Sequence, residues 1–200
     1  MRDTKKAPLL AATALLIFFV LPPTTSFGTQ QIEKSARSVT AQEKEVLARL
    51  NRSVKDYLKQ RSQVAEKLPK LSKDSTPEQI QAYQKALIDG LRAVRTNARP
   101  GDIFDAATAN YIRRILRTEV KGKERQEVRE TVLEADTKGV PLKVNHPYPE
   151  TKELVEVPAT LLLKLPELPK EVKYRFVGRH LLLVDTDSGL IVDYMLNALP

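Results

Sequence analysis

An α+β fold is predicted, with amphipathic helices in the first part of the chain and a small antiparallel sheet in the last. Three observations carry this expectation. Two helix-start signatures, Thr40-Ala41-Gln42-Glu43 and Thr76-Pro77-Glu78-Gln79, each precede an apolar stripe spaced by threes and fours. Between Glu171 and Pro200 the periodicity falls to two, with Val172, Tyr174 and Phe176 alternating with Lys173 and Arg175. Prolines crowd the chain past Gly139, at 141, 147, 149, 158, 166, 169 and 200, which suits short strands and turns and excludes long helices.

The first helix follows Thr40, whose hydroxyl can accept from the amide three residues on while Glu43 reaches back to the cap amide. Leu47, Leu50, Val54, Tyr57 with Leu58, Val64 and Leu68 form its stripe, interrupted only by Arg61, and Pro69 stops it. After the charged linker 70–75, Pro77 sits at the first position of a second helix with Ile80, Tyr83, Leu87, Ile88, Leu91 and Val94 on its apolar side. A short linker between two amphipathic helices predicts an antiparallel hairpin; a dimeric coiled coil is the rival, but each stripe lasts only about three heptads. Two further helices are predicted. One runs from Asp105, an N-cap residue, to Val120, and a markedly polar one continues to Asp136 with Val128, Val132, Leu133 and Ala135 as its apolar face. Arg99-Pro100-Gly101-Asp102 is a turn before them, and Gly139 stands where a C-cap belongs.

Leu142 to Asn145 is a short strand candidate, and His146-Pro147-Tyr148-Pro149 must be extended because residues before proline avoid the helical region. Pro158 starts, and Pro166 ends, a short leucine-rich helix. Three strands of a β-meander follow, broken at Gly178 and at the turn-forming cluster Asp185 to Gly189.

The organisation is therefore four-part. Residues 1–28 read as a signal peptide or an N-terminal membrane anchor: Arg2, Lys5 and Lys6 precede an apolar run from Ala7 to Val20, short for the about 20 residues a spanning helix needs. Residues 29–39 form a flexible leader, 40–139 a basic helical region and 140–200 the sheet region. The expected location is exported, periplasmic or extracellular, with anchoring in the inner membrane by residues 7–21 as the alternative. No cysteine is present, so neither a disulfide framework nor a cysteine-linked lipid is available. Residues 29–139 hold 23 Lys and Arg against 16 Asp and Glu, and residues 140–200 hold 7 against 8. The positive balance thus belongs to the helices. An exported basic protein meets anionic envelope surfaces before it meets nucleic acid, so an anionic surface or another envelope protein is the expected partner, nucleic acid is not, and the membrane is expected only through an uncleaved N-terminus.

No G-x-S-x-G, H-E-x-x-H, P-loop or GxGxxG motif occurs, and no cofactor or metal is expected. Arg113, Arg114 and Arg117 are the sharpest basic cluster and the candidate contacts for an anionic partner. Asp185-x-Asp187-x-Gly189, with Asp193 beyond it, has the alternating oxygens of a calcium loop but lacks the remaining acidic ligands and is read as a turn. His180, with Arg179 and Asp185, is the least improbable catalytic group, although no nucleophile stands in a recognisable setting.

The phrases P-G-D-I-F at 100–104, L-P-E-L-P-K-E-V-K-Y-R-F-V-G-R-H-L-L-L at 165–183 and I-V-D-Y-M-L-N-A-L-P at 191–200 together resemble a group of uncharacterised exported bacterial proteins. The likeness covers Gly101 to Pro200. It implies a bacterial, envelope-facing setting and carries no activity and no residue roles. The expected function is a non-catalytic envelope binding or interaction module, with a cleft between helices and sheet as its ligand site. An enzyme with a site near His180 and a membrane-tethered structural protein are the alternatives.

Overall fold

The two capping boxes form as the residues require. In the computed structural model, which describes residues 40–121, 126 and 128–200, Thr40 Oγ1 accepts from Glu43 N and Glu43 Oε2 accepts from Thr40 N. Thr76 and Gln79 repeat the exchange. The predicted signal or anchor of 1–28 and the predicted leader of 29–39 lie outside the described residues. Helix α1 spans Ala41–Ala65, α2 Pro77–Val94 and α3 Ala106–Glu119, the last capped by Asp105, which accepts from Thr108 N at 2.7 Å. No helix among the described residues is long and apolar enough to cross a membrane.

Helices α1 and α2 pair as an antiparallel hairpin, with Val64 against Gly90 and, nearer the start of α1, Tyr57 against Arg95. About 20 Å of helix separates Pro77 from Gly90, so the first turns of α2 run past the end of α1. That offset explains why Ile80, predicted to be core, is 39% exposed. The close approach is set by Gly90, because a Cβ there would overlap Val64 Cγ1. Gly90→Ala is therefore expected to cost about 2 kcal/mol despite alanine's better helix propensity, with Val64→Ala partly restoring it, as read by urea denaturation. Equal or greater stability of Gly90→Ala would show that the helices can part freely there.

Of the predicted polar helix, Gln126 and Val128 are helical and a π-helical turn follows, Arg129–Leu133; Val128 and Val132 are buried and Leu133 is 43% exposed. Strand β1 is Val155–Glu156, β2 Val172–Val177, β3 His180–Asp185 and β4 Ile191–Met195, and the short helix α4, Ala159–Leu162, begins after Pro158. They form one antiparallel sheet in the order β1-β2-β3-β4. The three predicted strands are present, and β1 adds a fourth that its two-residue length hid.

Alternation divides the sheet into two buried faces. Val172, Tyr174, Phe176, Leu181 and Leu183 join Leu50, Val54, Tyr57, Leu87, Leu91, Ile112 and Leu116 of the helices in one core. Val177, Leu182, Val184 and Ile191 pack on the other side against Val140 and Tyr148. The segment around Leu142 is no strand. Asn145 takes a left-handed φ of 62°, which breaks an extended run, yet Asn145 N still donates to Ile191 O and Ile191 N to His146 O along the free side of β4. Gly178, at φ 51°, supplies the positive φ of the two-residue β2–β3 turn.

A register shift between β3 and β4 turns a carboxylate toward the helices. Leu183 pairs with Asp193, whereas Val184 pairs with Ile191, so Val192 is an extra residue in β4. This β-bulge lets both Val192 and Asp193 face the helical side. Val192 enters the main core, and Asp193 is completely buried beside it.

Candidate functional site

Each of the two buried aspartates of the sheet region gathers donors from a different part of the chain. Asp193 Oδ2 accepts from Ile103 N at 2.8 Å and Phe104 N at 2.7 Å, and Oδ1 accepts from Gly101 N at 2.8 Å and Tyr194 N at 2.7 Å. A single carboxylate thus holds the Pro100–Phe104 loop against β4. Burial raises its pKa above the ordinary carboxylate range, and the four amides oppose that shift without cancelling it.

Asp185, at the end of β3, is also fully buried. Its Oδ2 accepts from Tyr57 Oη and from Arg61 Nε, both at 2.7 Å, and its Oδ1 accepts from Asp187 N, Ser188 N and Ser188 Oγ. Arg61 also pairs with Asp187. The interruption in the apolar stripe of α1 is therefore a largely covered cation aimed at the β3–β4 turn. Burial works against the Arg61 charge, but Asp185 and Asp187 outweigh it and hold its pKa above the usual value. Burial and the adjoining carboxylate together push the Tyr57 phenol far up.

The cluster from Asp185 to Gly189 forms a turn, as predicted, and its first residue accepts from the backbone of Asp187 and Ser188. Both Asp185 oxygens are occupied by protein donors, and no cluster of metal-ligating side chains occurs among the described residues.

Arg95 completes the arrangement. The stripe predicted for α2 takes in Val94 and leaves Arg95 out; in the structure Val94 is 50% exposed and Arg95 only 8%. Position 95 continues the 87, 91, 95 row, which meets α1 and the sheet. Its guanidinium lies 4.9 Å from the centre of the Tyr57 ring, a cation–π stack. One terminal nitrogen donates to Asn145 Oδ1 at 2.7 Å, the other to Val192 O at 3.1 Å, and Asn145 Nδ2 returns a bond to Arg95 O at 2.6 Å. All these acceptors are neutral. No carboxylate forms an ion pair with Arg95 among the described residues, and burial lowers its pKa from the arginine value. The bulge contributes here too, since a bulged residue is released from the regular ladder and Val192 presents its carbonyl to the arginine.

Arg95 and Tyr57 line a cleft of about 320 Å³, with Ser53, Asp56 and Gln60 of α1 on one wall and Asn97 and Asp102 on the other. A buried cation thus faces a polar opening.

The sequence-predicted residues lie elsewhere. Arg113 donates to Leu196 O at 2.9 Å and Asn197 O at 3.3 Å, closing the end of β4. Arg114 bonds Glu43 at 2.6 Å and covers the Tyr111 ring at 5.3 Å. Arg117 is exposed and makes no side-chain hydrogen bond or ion pair with the described residues. His180 Nδ1 accepts from Asn197 N at 3.0 Å, which places the ring proton on Nε2 in the neutral form. Burial, with Arg179 nearby, lowers its pKa. Asp185 faces the helices with Leu181 and Leu183, on the sheet side opposite His180, and Arg179 is taken up by Leu199 O at 3.1 Å. His180, Arg179 and Asp185 are not assembled into one site. No family model, curated protein or solved structure matches this chain.

Proposed function

We propose that the chain is a non-catalytic binding module of the bacterial envelope, exported, and that the Tyr57–Arg95 cleft holds its small-ligand site. The observation behind this reading is the buried Arg95 cation, whose hydrogen-bond acceptors are neutral and which has an open cleft beside it. A guanidinium so placed binds an anionic group strongly, because little water competes for its donors. Asp56 and Asp102 at the rim repel multiply charged anions and attract a cationic group. A small ligand bearing one carboxylate, with or without an amine, suits that distribution of charge. The buried aspartates support a binding role over a catalytic one, since both are engaged by amides, a phenol and a guanidinium that hold the fold.

Acetate and inorganic phosphate are the first probes. Titrated into the full chain, acetate is expected to shift the amide resonances of Ser53, Gln60 and Asn97, with phosphate weaker. Arg95→Lys, checked for folding by its thermal melt, should weaken acetate at least about tenfold, because an ammonium cannot reproduce the planar fork. Asp56→Asn should strengthen it. Shifts scattered over the basic helices and unchanged by either substitution would refute the cleft as the site.

A further inference from the structure

Helix α4 and the turn after it sort their leucines unusually. Leu161 and Leu165 are buried at 1% and 6% exposure, whereas Leu162 and Leu163 stand out at 49% and 85%. The protruding pair walls a groove of about 570 Å³ whose apolar lining also includes Leu165, Pro166, Leu168 and Pro169. Charge on its rim is uneven. Glu156 is bound to Arg175 at 2.9 Å, while Lys170 and Lys173 form no ion pair among the described residues. Lys164, next to Leu163, reaches Glu119 only at 4.0 Å. Glu167 is the one acidic lining residue not engaged in an ion pair among the described residues, so basic groups predominate.

The adjoining sheet edge narrows the choice of occupant. On the outer side of β2, Val172 N already donates to Pro169 O at 3.1 Å, and Tyr174 O accepts from Arg175 Nη1 at 3.0 Å. An extended peptide that adds a strand needs those groups free. A lipid needs none of them. Apolar side chains projecting beside lysines, whose stems can lie in the headgroup layer with the ammonium at the phosphates, match an anionic bilayer surface.

We propose that the Leu162–Leu163 groove docks the protein on anionic lipid, the two leucines entering the headgroup boundary and Lys164, Lys170 and Lys173 meeting phosphate. This rests on the reading of an envelope partner but not on the Arg95 cleft, and it assigns the anionic surface to α4 and the start of β2 rather than to Arg113, Arg114 and Arg117.

The absence of cysteine permits a local test. Leu163→Cys carrying an environment-sensitive nitrobenzoxadiazole label, in the full chain, is mixed with vesicles of phosphatidylglycerol and phosphatidylethanolamine or of phosphatidylcholine alone. A label at Gln81→Cys, an exposed position on α2, is the reference, which separates groove docking from any binding through residues 7–21. The expected result is a blue shift and a rise in emission of about threefold at 163 only, on the anionic vesicles only. Lys170→Gln with Lys173→Gln, or about 0.5 M salt, should weaken it severalfold. The proposal falls if the 163 label stays in water while the chain sediments with vesicles, or if phosphatidylcholine serves equally well. It also falls if the shift appears without lipid as protein concentration rises, which identifies a second copy, or with unfolded casein but not vesicles, which identifies an apolar polypeptide. Failure here with a normal acetate titration would leave the Arg95 cleft standing.

Discussion

Asp193→Ala is expected to destabilise the fold by about 4 kcal/mol, because it removes the acceptor of four backbone amides at once and leaves buried donors without partners at about 1–3 kcal/mol each. Asp193→Asn, which keeps one acceptor oxygen, should cost about half as much. Urea unfolding measures both, and amide exchange at Ile103 and Phe104 should accelerate well beyond the global change. Acid does not reproduce the substitution. The pKa of Asp193 is raised in the fold, so in the window above the unfolded carboxylate value the folded chain takes up the proton more readily than the unfolded one. Protonation of this group on acidification therefore favours the fold. A loss below about 1 kcal/mol for Asp193→Ala would mean that water replaces the carboxylate at the loop amides.

The second large effect is expected at Asp185. Replacing it with alanine leaves Arg61, whose side chain is only 11% exposed, and the Tyr57 hydroxyl without their common acceptor, and removes the internal bonds of the β3–β4 turn. Breaking a buried pair in this way costs about 3–5 kcal/mol. Arg61→Met should cost less, about 2 kcal/mol, because Asp185 retains the tyrosine and the three turn donors while the methionine refills the stripe of α1. Both are read from denaturant midpoints. The reverse order, with Arg61→Met the more damaging, would indicate that the arginine acts through Asp187 rather than Asp185.

Much of the fold was legible because it rests on local chemistry. The capping boxes at Thr40 and Thr76, the N-cap at Asp105, proline before α4 and the alternation of β2 are each settled within a few residues, and each forms as expected. The polar sites were less legible. Arg61 was visible as the gap in an apolar stripe, and a charge at a core position implies a buried partner, but periodicity cannot name a partner 124 residues away. Arg95 was masked by Val94: either residue could extend the stripe of α2, and tertiary contact with Tyr57 and Asn145 decided for the arginine. The bulge in β4 was hidden because Ile191 and Val192 are both apolar and show no alternation to break. A lone aspartate in that apolar strand was the available signal for Asp193. The cluster at 113, 114 and 117 drew attention because adjacent charges are conspicuous in sequence, while the structure divides them among a strand end, a capping glutamate and solvent.

Beside the apolar core that helices and sheet share, two strand aspartates thus reach across to the helical side, Asp185 to α1 and Asp193 to the loop before α3, while Arg95 faces a cleft. A double-mutant cycle across Arg61→Met and Asp185→Asn tests this most directly, since it isolates the bond between α1 and the β3–β4 turn from all other losses. A coupling of about 2 kcal/mol is predicted for a buried, charge-assisted pair. Additive losses, with coupling below about 0.5 kcal/mol, would contradict it.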